Sequence, residues 1–99
     1  MSDKELLELA AKAAGITNLM TESYSNEFGF PLSGADDDNE TYQWWNPLTD
    51  DGDAFRLAVK LDLASLYYSD DDYAACNQDG YAATRRAIVR TAAEIWRMK

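Results

Sequence analysis

Near the start of the chain, Leu6, Leu9, Ala10 and Ala13 recur at helical spacing, and Leu7 and Ala14 widen the stripe they form. Ser2 stands three residues before Glu5, the spacing of a capping box: the serine oxygen takes the amide of Glu5 and the carboxylate reaches back to the amide of Ser2. Gly15 supplies the left-handed cap at the other end. The pattern predicts a helix from Asp3 to Ala14.

From Ile16 to Asn39 no period holds, and Gly29, Pro31, Ser33 and Gly34 punctuate the stretch. An ordered but mostly irregular segment is expected, in which Tyr24, Phe28 and Phe30 mark either an irregular strand or a loop packed onto the core, since their rings would forfeit a large burial if left in water. Thr41 to Trp45 is rich in strand formers, with Tyr42 and Trp44 on one face and Gln43 and Trp45 on the other; Asn46-Pro47 ends it. Thr49 is then expected to cap a second helix, Asp50 to Lys60. Its first turn carries Asp50, Asp51 and Asp53 at the positive end of the dipole, while Ala54, Leu57, Ala58 and Leu61 face inward.

Leu63 to Tyr68 reads as a strand, Ser69 to Asp72 as a turn and Tyr73 to Asn77 as a third strand, together a hairpin. Gln78-Asp79-Gly80 leads into a last helix, Tyr81 to about Met98, with Tyr81, Ile88, Ala92 and Ile95 facing the core, Val89 and Trp96 flanking, and Thr84 interrupting the stripe. The expected architecture is α+β, one domain over residues 1–99. Three helices pack on a small antiparallel sheet of about three strands, in the order α-β-α-β-β-α.

Charge changes the picture more than composition does. The net charge is -9, but residues 1–80 hold 17 acids against 4 bases, whereas residues 81–99 hold 5 bases against Glu94. So acidic a body repels phosphate backbones and favours basic partners, which argues against direct nucleic-acid binding. Arg85, Arg86, Arg90 and Arg97 on the last helix are expected to pair with that body rather than with an external anion. Cys76 is the lone cysteine, so an intrachain disulfide is excluded, and a small buried hydrophobe is its expected role. The opening Met-Ser-Asp-Lys-Glu lacks the basic and apolar regions of a secretion signal, and no apolar run suits a membrane span, so a cytoplasmic protein is expected.

Chemistry is constrained mainly by what is missing. Without histidine there is no imidazole base, no serine–histidine or cysteine–histidine nucleophile and no ordinary zinc site. Asp36-x-Asp38-x-Glu40 has the alternation of a calcium loop, but Thr41 stands where glycine is required and Pro47 where the closing glutamate belongs. No catalytic residue, metal ligand or cofactor is therefore assigned. Seven tyrosines and tryptophans fall between positions 42 and 81, more than one sheet face can bury. Either some are exposed as interface anchors, or the irregular segment covers them as a second layer.

Two blocks also carry a resemblance. Trp45-Asn46-Pro47-Leu48-Thr49-Asp50-Asp51-Gly52-Asp53-Ala54 with Arg56-Leu57-Ala58-Val59-Lys60-Leu61, and Tyr81-Ala82-Ala83-Thr84-Arg85-Arg86-Ala87-Ile88-Val89-Arg90 with Ala92-Ala93-Glu94, resemble small uncharacterised proteins of tailed phages and prophages. That group is similar to the phage ABA (alpha-beta-alpha) sandwich domain family, in which an N-terminal helix, a central helix after an Asn-Pro turn and an Arg-Ala-rich last helix recur. The family has no catalytic residues to carry over. The resemblance implies a non-enzymatic accessory protein in the cytoplasm of an infected or lysogenic bacterium. Small acidic phage proteins include anti-defence factors, anti-CRISPR proteins and nucleic-acid mimics among them, so the implied partner is a host protein with a basic surface. On that reading Asp36, Asp37, Asp38, Asp70, Asp71 and Asp72 stand in for phosphates, and Trp44 and Tyr67 anchor the contact. The alternatives are a module that self-associates, as a homodimer, through the edge of the predicted hairpin or the last helix, and more distantly a carboxylate metal-dependent hydrolase.

Overall fold

The computed structural model describes residues 2–33, 43–63 and 70–98. Along them run α1 (Asp3–Ala13), a 3-10 turn (Thr21–Ser23), β1 (Phe30–Leu32), β2 (Gln43–Trp45), α2 (Asp51–Lys60), α3 (Asp70–Ala75) and α4 (Gly80–Arg97). The fold is α+β, with four helices and a two-stranded antiparallel sheet among the described residues.

The first helix starts where the capping box places it. Ser2 Oγ accepts from the amide of Glu5 at 3.2 Å and donates to the Glu5 carboxylate at 3.3 Å. Gly15, with φ +77°, follows the last turn in the left-handed conformation a β-carbon disfavours. The apolar stripe of α1 lies on α4, the most extensive contact between elements. The seam is built of small residues: Ala10 and Ala11 on α1, Ala92 and Ala93 on α4, all fully buried, with Leu6, Leu7 and Val89 filling the ends. Alanine lets two helix backbones approach closely, so this seam gains its energy from dense contact rather than from large side chains.

One strand of the sheet lies where a strand was expected, and the other settles the choice between strand and packed loop at Phe30. β2 agrees with the reading of Thr41 to Trp45, whose first two residues lie outside the described ones. β1 falls in the stretch expected to be irregular, and pairs with β2 in the register Phe30 with Trp45, Pro31 with Trp44 and Leu32 with Gln43. Pro31 cannot donate to a ladder, but its carbonyl accepts from the amide of Met20 at 2.9 Å, and the Ser33 amide bonds to the Asn18 carbonyl at 2.8 Å. The chain before β1 thus covers the edge that proline would leave half-used.

Four expectations need correction. Residues Tyr73 to Asn77 are not a strand: Asp70–Ala75 is a short helix against α4, so the predicted hairpin does not form, and Leu63–Tyr68 lies largely outside the described residues. A strand reading of Tyr73-Ala74-Ala75 missed that alanine and the preceding acids suit a helix start. Thr49 does not cap α2. The cap is Asp50, whose carboxylate accepts from the Asp53 amide at 2.8 Å, while Thr49 belongs to the turn closed on the Asn46 carbonyl. Tyr81 is 78% exposed, and the core face of α4 is instead Ala83, Ala87, Ile88, Val89, Ala92 and Ala93. Cys76 is partly exposed after α3 rather than buried. Thr84, which interrupts the stripe, is accommodated because its hydroxyl donates to the Gly80 carbonyl at 2.8 Å.

Trp45 is 7% exposed and packs with Phe30 and Leu57 in the central cluster. We predict that Trp45→Ala costs about 3 kcal/mol or more, that Asp50→Ala costs about 1 kcal/mol through the lost cap, and that Thr49→Ala stays within about 0.5 kcal/mol. Chemical denaturation of the three variants checks the order; a Thr49 effect as large as that of Asp50 would contradict the capping assignment.

Candidate partner-binding site

The turn from β2 into α2 is organised by one carboxylate. Asp53, buried in the first turn of α2, accepts the Asn46 amide at 2.9 Å through Oδ2 and Arg56 at 2.6 Å through Oδ1. Asn46 in turn accepts the Leu48 amide at 3.2 Å on its side-chain oxygen, and its carbonyl closes the turn on Thr49 and Asp50. From the far side Arg85 of α4 donates to the Leu48 carbonyl at 2.9 Å and to Asp51 at 2.6 Å. Strand end, turn and helix start are thereby fixed relative to each other and to α4.

Against this turn lies the loop before β1. The Ser25 and Gly29 backbones exchange hydrogen bonds at 2.8 and 2.9 Å, and Ser25 Oγ accepts the amides of Glu27 and Phe28, each at 3.2 Å. Gly29 has φ +84° and is buried against the Trp45 carbonyl and the Asn46 side chain, so that a β-carbon there would collide with both. This left-handed step reverses the side-chain direction. Phe30 enters the core beneath Tyr24, with ring centroids 4.9 Å apart, whereas Phe28 turns outward onto Trp44, with centroids 5.5 Å apart and planes tilted by 43°. Phe28 is 52% and Trp44 38% exposed.

The aromatic pair forms one wall of an open hollow of about 420 Å³, with Glu27 beside it and Asp50, Asp53 and Arg56 of the α2 start opposite. A second groove, of about 450 Å³, runs between α2 and α4. It is apolar, floored by Ala58 and Ile88 and rimmed by the exposed Phe55, Val59 and Tyr81.

The sequence-predicted site residues divide. Trp44 lines the hollow. Asp36, Asp37, Asp38 and Tyr67 lie outside the described residues. Asp70 is exposed at the start of α3 and does not line the hollow, and Asp71 is the next residue of that helix. Asp72 does not face a partner: its side chain is 4% exposed and held by Arg90 at 2.9 and 3.3 Å, which latches α3 onto α4. The hydrogen bond to Asp72 raises the Arg90 guanidinium above its ordinary pKa, with burial opposing it. The Tyr24 phenol is likewise raised, by burial first and by the Asp3 carboxylate second. The expected internal neutralisation of α4 holds for Arg85 with Asp51, Arg86 with Asp3 at 3.3 Å, and Arg90 with Asp72 and Glu94.

Sequence reasoning missed Glu27 and Phe28. Phe28 and Phe30 are two apart and so were read together as core, and the glycine between them was the signal that they face opposite ways. Among the described residues, no group of three or more His, Cys, Asp or Glu side chains is positioned to hold a metal ion, and no helix is long and apolar enough to cross a membrane.

The fold and site together define a small helical α+β domain that presents an aromatic pair beside carboxylates. Compared with family models, with curated proteins and with solved structures, the chain matches none.

Three substitutions probe this construction. Gly29→Ala should cost about 3 kcal/mol or more, because it combines a positive φ with a collision against backbone, and Trp44 fluorescence should report the loss of the ring pair. Arg90→Leu should cost about 3 kcal/mol, since it strips the guanidinium from a buried carboxylate, whereas Asp72→Asn should cost about half that, since the Arg90 side chain is 37% exposed and turns to water. Thermal or urea unfolding that reverses the second order would contradict the latch.

Proposed function

We propose that the chain is a non-enzymatic, small acidic phage accessory protein that binds and inhibits a host protein with a basic surface, as an anti-defence factor does. The observation that carries the binding part is the exposed Phe28–Trp44 pair, held by a buried glycine turn and flanked by Glu27 and Asp50. Leaving two large rings in water forfeits apolar burial that the fold elsewhere secures, and rigid aromatics lose little conformational entropy when a partner covers them. The phage-like blocks and the acidic body supply the inhibitory and host-directed parts. Asp36, Asp37, Asp38, Asp70 and Asp71 steer encounter in this reading, and Asp72 is withdrawn from it.

The test is capture from bacterial lysate on immobilised protein, at low and at moderate salt. Wild-type protein should retain a partner that the Phe28→Ala/Trp44→Ala variant releases, with weaker retention at higher salt as exposed charges are screened. Retention of nothing in either condition sinks the proposal.

A second reading, self-association as an assembly module, is favoured by one observation: Phe55, Val59 and Tyr81 line one apolar groove between α2 and α4. It calls for a dimer in light scattering that Phe55→Ser converts to monomer, and a monomer at high concentration removes it.

A further inference from the structure

We infer that the hollow between the Phe28–Trp44 wall and the start of α2 seats a cationic side chain of a protein partner, the head group of an arginine or lysine laid against the Trp44 ring. The inference rests on the protein-binding reading above and names what the site takes. The hollow is an open cavity with an exposed indole on one side, and the face of an indole attracts cations through its quadrupole. The opposite side decides the sign of the ligand. Among the described residues, Glu27, Asp50 and Asp53 line the space with Arg56 as the one cation, which leaves a local excess of negative charge. Arg56 is ion-paired with Asp53 at 2.6 Å, so those two charges largely cancel and the local excess is that of Glu27 and Asp50. An acidic or phosphate-bearing group would meet two further carboxylates, and a purely apolar one would cover them without a partner. An alkyl stem ending in a cation satisfies both walls, the stem on the rings and the head toward Glu27 and Asp50.

Arg56 then has a second consequence. It is a like charge within the mouth, so it weakens the cation's binding while stabilising Asp53. Its removal should tighten binding where a merely structural role would not.

The experiment titrates the full chain, isotopically labelled, with terminally blocked Gly-Arg-Gly, Gly-Lys-Gly and Gly-citrulline-Gly, the last a neutral isostere of the first. Saturable shifts are expected at the Trp44 indole and at the Glu27 and Phe28 amides with the two cationic peptides and not with citrulline. Binding should be roughly tenfold weaker in Trp44→Leu, which keeps an apolar side chain but no ring face. It should also be weaker in Glu27→Gln and tighter in Arg56→Gln. Equal shifts with citrulline, no saturable shift with either cation, or a Trp44→Leu variant that binds as well as wild type would each overturn the inference. Failure here is distinct from failure of the protein-binding reading. A lysate partner released by the aromatic variant without any peptide binding keeps that reading and ends this inference, and cation binding without a lysate partner does the reverse.

Discussion

The Asp53 carboxylate is the constraint on which the geometry of this molecule turns. It sits in the first turn of α2, where the helix dipole favours a negative charge, and it is buried, where an unpaired charge would be prohibitive. Its two oxygens are therefore both used: one takes the amide of Asn46 and the other takes Arg56. The first bond ties the end of β2 to the helix seven residues on. Because Trp45 enters the core immediately before Asn46, the same bond fixes how the sheet meets the helices. Gly29 is pressed against that spot, so the loop carrying Phe28 inherits the position. A polar contact at one turn thus sets the spacing of two aromatic rings on the surface.

The remainder of the fold solves a different problem, that of holding a chain of net charge -9 together. Its first 80 residues hold 17 acids against 4 bases and would repel one another, and the basic last helix packs against α1, α2 and α3. Arg85, Arg86 and Arg90 reach α2, α1 and α3 respectively, so α4 bonds electrostatically to each of the other three described helices. The exposed members of this set contribute little individually. Arg90 with Asp72 differs because the carboxylate is buried, and it gives a six-residue helix, too short to be stable on its own, a fixed seat. The alanine seam between α1 and α4 supplies the dispersion energy, and the arginines supply orientation.

Local signals predicted the local structure well. Ser2 with Glu5, Gly15 and Asn46-Pro47 each belong to short-range rules of capping and turn geometry, and α1, the start of β2 toward α2, and α4 fall within a residue or two of where those rules put them. The errors have long-range causes. β1 is a strand because Trp45 and Met20 lie on either side of it, contacts that no period in Phe30-Pro31-Leu32 announces. Asp72 looks from sequence like one more acid in an exposed run, and only the position of Arg90, eighteen residues later, takes it inside. Asp50 and Thr49 are both good caps, and the choice between them is made by the turn that Asn46 closes. For the candidate site, Trp44 was legible as a surplus aromatic. Phe28 was not, since its outward direction depends on the sign of φ at Gly29.

This division bears on how such a surface achieves selectivity. Long-range charge is screened beyond about 8 Å at physiological ionic strength, so in the proposed role it would speed encounter with any basic partner without choosing among them. Choice must come from contacts made within van der Waals range, and among the described residues the Phe28–Trp44 pair combines exposed ring area, fixed geometry and adjacent carboxylates. A rigid pair loses little entropy on being covered, so its contact area converts to affinity more fully than that of a flexible loop. The carboxylates beside it are positioned by the turn and cap that the fold requires in any case. In the proposed role such a surface would need no backbone strain, because glycine takes the positive φ of Gly29 freely, and that residue also joins the loop to the core.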